Sequence, residues 1–122
     1  MLRKFFKQNK ATILSPLDMQ TLKVIVDRGD DKTAIRDVMH FTYFEQEEKA
    51  RSFADTVIEK GFREVELSRS GSDEVDESFV VIAHHDGTLI ESDIGERLTT
   101  IRNVAKSFSG NYDGWETALV YK

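Results

Sequence analysis

Three histidines are the side chains of this chain best suited to acid–base or metal chemistry: His40, and the adjacent pair His84 and His85 followed by Asp86. Two imidazoles and a carboxylate held together are a plausible zinc ligand set. Neighbours on an extended strand point to opposite faces, however, so only one of His84 and His85 can join His40, and no metal-ligand spacing surrounds them. Hydrolytic chemistry has no firmer footing. The sequence contains no Gly-x-Ser-x-Gly elbow, no Gly-rich phosphate loop and no His-Glu-x-x-His helix. The carboxylates are spread over helix surfaces and one loop, and no spacing among them singles out an acid and a base. With no cysteine in the chain, thiolate metal sites, disulfides and a cysteine nucleophile are absent together. The expectation is a protein with no catalytic residues, no metal and no cofactor.

Two other groups of residues suit binding better than catalysis. Asp113, Gly114 and Trp115 combine a small backbone-permissive residue with an indole, the side chain that most often dominates a protein interface. Their structural reading is a bulge at Gly114 with Trp115 packed on the preceding helix. Asp73, Glu74, Asp76 and Glu77 crowd one end of the segment 68–78, which begins with Ser and Gly and reads as a hairpin loop. Their register lacks the alternate oxygens, central Gly and closing Glu of a calcium loop, so they read as a solvated acidic surface. Phe41, Tyr43 and Phe44 invite comparison with RNA-binding sheets, but neither their strand nor 79–85 carries the Lys or Arg that should flank exposed rings. No direct nucleic-acid contact is expected.

The totals agree. A chain of 122 residues with 39% hydrophobic and 32% charged residues is large enough for one core and too short for two typical ones. The formal net charge is −5, yet residues 1–10 hold Arg3, Lys4, Lys7 and Lys10 and no carboxylate, so the remainder is near −9. No apolar run reaches the ~18 residues of a membrane span, and the N-terminus has no apolar signal core. The expectations are therefore no membrane span, a cytoplasmic location, a basic flexible arm over 1–12 and a single domain over 13–122. Leu2, Phe5 and Phe6 lie among the cations of that arm, an amphipathic pattern suited to a lipid surface or a partner, although a frayed terminus reads the same way.

The elements that must position these residues follow from period and caps. Ser15 and Pro16 open a leading helix with Asp18 in its first turn, Leu22, Ile25 and Val26 on one face and Gly29 at its end. Residues 37–44 read as a strand. The run 45–60 places Ala50, Phe53, Ala54, Val57 and Ile58 at helical spacing, with Glu45, Glu47 and Glu48 at the positive end of the dipole and Gly61 as the stop. Residues 62–67 alternate as a second strand, and Phe79–His85 is apolar on both alternations, as a central strand would be. From Glu91 to Ser109, Ile94, Leu98, Ile101, Ala105 and Phe108 recur at helical spacing, with Gly110 at the stop. A last strand carries Tyr112, Trp115, Thr117, Leu119 and Tyr121. The order predicts an α+β, ferredoxin-like split βαβ sandwich (βαββαβ, four-stranded antiparallel sheet) with an extra N-terminal helix.

The segments RDVMHFTYF at 36–44, KGF at 60–62 and above all GNYDGW at 110–115 resemble the regulator of ribonuclease E activity B family, over about residues 15–122. That resemblance implies a non-catalytic bacterial regulator of RNA decay that binds an endoribonuclease of the E type, or its scaffold, and inhibits it. The strongly acidic C-terminal tail of the family's best-known type has no counterpart here, because the chain stops at Lys122 after the last strand. The expected contact residues are Asp113, Gly114, Trp115, Asp73, Glu74, Asp76 and Glu77, with Glu47 and Glu48 adding to an acidic steering field. The alternative is a module of the same fold with another partner, toxin-neutralising or self-associating, for instance a homodimer through an uncovered sheet face.

Overall fold

The computed structural model describes residues 14–70 and 78–121. The basic arm, and Asp73, Glu74, Asp76 and Glu77 of the acidic loop, lie outside them. The order is α1 (Pro16–Asp27), β1 (Arg36–Phe44), α2 (Glu47–Glu59), β2 (Arg63–Ser70), β3 (Ser78–Gly87), α3 (Glu91–Ser107) and β4 (Asn111–Thr117). The four strands form one sheet in the order β2-β3-β1-β4. With β1 antiparallel to β4 and β2 antiparallel to β3, this is the expected ferredoxin-like split βαβ arrangement preceded by a helix.

Two compact units divide the described residues: 37–70, 78–85 and 101–117 make one, and 14–36, 86–100 and 118–121 the other. The first holds most of the sheet, and its core is Phe44, Val81 and Ala83 from the strands, Ala50, Phe53 and Val57 from α2, Phe62, and Ile101, Val104 and Ala105 from α3. These are one side of the sheet and one stripe of each helix, so the spacing of apolar residues decides which face is closed. Along β1, Val38, His40, Thr42 and Phe44 are buried, whereas Met39, Phe41 and Tyr43 alternate with them and stay half-buried. Of the three β1 rings, only Phe44 belongs to the closed core.

In the second unit the buried apolar side chains are Leu22 of α1, Leu89, and Ile94 and Leu98 of α3. Ser15 caps α1 as its sequence predicts, its Oγ accepting from the Asp18 N–H at 3.1 Å, and Pro16 fills the first helical position. Gly29 and Gly61 follow their helices with φ of +97° each, the left-handed stop expected of them.

Three boundaries differ from the sequence reading. The hairpin strands run to Ser70 and from Ser78, further into the segment expected to be loop, because pairing of Ser68, Arg69 and Ser70 with Val80, Phe79 and Ser78 needs only backbone groups. At the end of α3 the left-handed residue is Ser109, with φ +60°, rather than Gly110. Gly110 serves packing instead: a Cβ there would fall on the edge of the Phe44 ring. Finally, β4 ends at Thr117, and Ala118–Tyr121 belong to the other unit.

Candidate protein-binding surface

Asp113, Gly114 and Trp115 sit in β4, which lies at one edge of the sheet. In the β1–β4 ladder Phe41 faces Gly114 while the next residue, Thr42, faces Tyr112, so Asp113 is the extra residue of a bulge. Gly114 makes that bulge possible through backbone freedom rather than space. Its φ is +148°, and a Cβ added there would meet nothing within 4 Å. The bulge turns Asp113 out to solvent and interrupts an edge that would otherwise pair with any extended chain. Trp115 lies opposite His40, whose side chain is on the closed face, and its own ring is half-buried. The motif thus presents an exposed carboxylate and a partly covered indole at one sheet edge.

Behind the edge lies a buried polar chain. The Tyr112 hydroxyl is 2.8 Å from His40 Nδ1, and His40 Nε2 is 2.8 Å from His85 Nδ1. Both imidazoles are almost fully buried, Phe62 meets each of them edge-on, and the Arg102 guanidinium lies 4.9 Å from the centre of the Tyr112 ring. One proton is shared between the two histidines, so one donates while the other accepts. His40 spends both ring nitrogens on protein partners, a role that orders β1, β3 and β4 rather than one that reaches solvent.

His84 points to the opposite side, as the alternation requires. Its Nδ1 is 3.0 Å from the Asp37 carboxylate, which also accepts from Arg63 Nη2 at 2.7 Å, and Arg63 pairs in addition with Glu64. Glu64 has φ +48°, and the β2–β3 register shifts between Arg63 and Glu66, so a second irregularity lies beside this charged cluster. Partly exposed pairs of this kind contribute ~0–1 kcal/mol each. Among the described residues no three His, Asp or Glu side chains are grouped to hold a metal ion.

Glu47 and Glu48 are exposed in the first turn of α2, where the dipole favours them, and Glu47 pairs with Arg51 one turn on. One densely bonded buried pair among the described residues was not anticipated from the sequence. Asp30 and Arg36 are both buried and joined by two parallel hydrogen bonds of 3.1 and 3.0 Å. Arg36 gives its remaining donors to the carbonyls of Ala34, Ala118 and Asp31. Asp30 also accepts the Val120 N–H at 2.7 Å. The signal that could have found it is an Asp and an Arg flanking a short turn directly after a helix stop, but nothing local reveals a partner more than eighty residues away.

Residues 17–117 match the family model described as RraB: Regulator of ribonuclease activity B. A search of curated proteins finds no match. No helix of the described residues is long and apolar enough to cross a membrane.

Proposed function

This chain belongs to the regulator of ribonuclease activity B family, non-catalytic protein-binding regulators of RNA degradation, and we propose that it acts by occupying the surface of an endoribonuclease of the E type or its scaffold and so inhibiting cleavage. The observation that carries this reading is the family match over nearly the whole folded region, from α1 to the end of β4. The contact surface we assign is the bulged edge of β4 at Asp113, Gly114 and Trp115, together with the acidic residues Asp73, Glu74, Asp76 and Glu77. An edge strand with an exposed carboxylate and an indole that can be desolvated supports this assignment. The negative body favours a partner segment rich in arginine, with Glu47 and Glu48 extending the attractive field.

The test is binding of the purified chain to the full-length endoribonuclease by a surface or fluorescence method, with RNA cleavage measured in parallel. Trp115→Ala is expected to weaken binding about 30-fold, the loss of a ~2 kcal/mol anchor, while leaving the melting temperature within a few degrees. Raising salt to ~0.5 M is expected to slow association markedly, because the screening length shrinks to a few ångströms. Unchanged affinity in Trp115→Ala would remove the β4 edge from the contact. Salt-independent association would remove the acidic steering.

A further inference from the structure

The unit made of residues 37–70, 78–85 and 101–117 holds a pocket whose lining mixes opposite charges with aromatic rings. It lies where β1 runs into α2 and where the turn after α3 runs into β4. Its volume is about 320 Å³, at the lower end of the ~300–1,000 Å³ of small-molecule sites. Tyr43, Phe44 and Phe108 supply the apolar lining, Phe44 buried and the other two half-buried. Glu45, exposed, and Lys49, half-buried, line it as well. They stand four residues apart, the spacing at which Glu47 meets Arg51 and Lys23 meets Asp27, yet among the described residues neither joins an ion pair. A carboxylate and an ammonium thus share one small pocket with their pairing capacity unspent. The walls are set by the chain itself. Gly110 lies so close to the Phe44 ring that a Cβ would fall on it, and the Ala105 carbonyl accepts its N–H at 2.8 Å. Asn111, beside it, pairs with Tyr43 in the β1–β4 ladder. Ser109, also in the lining, holds a left-handed φ of +60° that glycine would take without strain. The strain keeps a hydroxyl at the pocket, and strained positions of this kind cluster at ligand sites.

We propose that this pocket binds a free α-amino acid with an aromatic side chain, its carboxylate on Lys49, its ammonium on Glu45 and its ring against Tyr43 and Phe108. A ligand here has to meet two opposite charges and a set of rings together. A simple anion would be opposed by the Glu45 carboxylate, and a simple cation by Lys49. A neutral ring would take water from both charges and give them no partner. A zwitterion that carries a ring satisfies all of them at once, with the offset or edge-on contacts that aromatic side chains prefer. The volume suits a ligand of roughly a dozen non-hydrogen atoms. The net charge of −5 further disfavours a nucleotide or another polyanion. Asn111 opens β4 two residues before Asp113, so a ligand in this pocket sits next to the bulged edge. The site itself does not depend on which partner the regulator binds.

Titration of the isotope-labelled full chain with L-phenylalanine tests this by NMR. The readout is the backbone amides of Ser109, Gly110 and Asn111, with Gly29, in the other unit, as an internal control. Saturable shifts are expected at the first three and none at Gly29, with a Kd of about 0.1–1 mM, ordinary for so small a ligand. Hydrocinnamate, which lacks the ammonium, and phenethylamine, which lacks the carboxylate, should each bind about fivefold more weakly, the discrimination of one partly exposed charge pair. Glu45→Gln should erase the advantage of L-phenylalanine over hydrocinnamate, and Lys49→Met its advantage over phenethylamine. Neither residue belongs to the core, so both variants keep the fold. Ser109→Gly separates binding from folding: relief of strain should raise the melting temperature while affinity falls. The absence of a saturable shift at about 10 mM L-phenylalanine would overturn the proposal. So would equal affinity for all three compounds, which would leave only an apolar cavity. Tighter binding of adenosine monophosphate would overturn it in favour of a nucleotide site.

Discussion

Among the described residues each of the two units buries a polar cluster, and the two clusters are built on opposite principles. Asp30 and Arg36 are a charged pair in which all five guanidinium donors are spent and the carboxylate takes a third hydrogen bond from the backbone. Tyr112, His40 and His85 are a file of aromatic side chains joined by two hydrogen bonds, each of which works in either direction. The first converges on Ala118, Val120 and the 30–34 turn, chain segments with no ladder of their own beyond the Asp30–Tyr121 bridge. The second lies within a sheet whose strands are already paired. Where the backbone cannot satisfy itself, a saturated ion pair substitutes for it. Where it can, a file of rings joined by two hydrogen bonds suffices.

That contrast predicts unequal sensitivity. Asp30→Ala should be the most damaging single change, costing ~3–5 kcal/mol in denaturant unfolding, because it leaves Arg36 buried without its counter-charge. Asp30→Leu/Arg36→Met should recover only part of the loss: the buried charge is gone, but the carbonyls of Asp31 and Ala118 and the Val120 N–H lose their partners. A double variant as stable as the parent would show that the pair sets no backbone geometry, and the comparison would fail. Tyr112→Phe should cost less, ~1–2 kcal/mol, since it strands one nitrogen of His40 while the His40–His85 bond remains. A cost equal to that of Asp30→Ala would mean that the aromatic file, too, carries its strands. The smallest expected effect has the opposite sign. The Thr42 hydroxyl is buried with no hydrogen-bond partner, so Thr42→Val should raise stability by about 1 kcal/mol, read as a melting temperature a few degrees higher.

Much of the fold was legible because its signals are local. The helical stripe of α2, the caps at Ser15, Gly29 and Gly61, and the bulge at Gly114 each depend on residues within one or two turns of each other. The pairing of His40 with a histidine of β3 was half legible: the topology makes those strands neighbours, but only the register shows that His85 shares the closed face and His84 meets Asp37. Asp30 and Arg36 were not legible, because what makes them a hub is the return of Ala118 and Val120 from the far end of the chain. The same return explains why the last strand stops at Thr117 although Leu119 and Tyr121 continue the apolar alternation. For the binding surface, sequence singled out Asp113, Gly114 and Trp115, and the structure adds that they form a bulged edge. Asp73, Glu74, Asp76 and Glu77 stand outside the described residues and rest on charge alone.

We propose that this chain regulates RNA decay by occupancy rather than by chemistry of its own. The direct measurement is cleavage of a defined single-stranded RNA by full-length endoribonuclease E while the purified chain is titrated in. Inhibition is expected to saturate near one chain per nuclease binding site, not to deepen with preincubation time, and to be weakened by Trp115→Ala. Cleavage that stays constant at a large excess of the chain would contradict it.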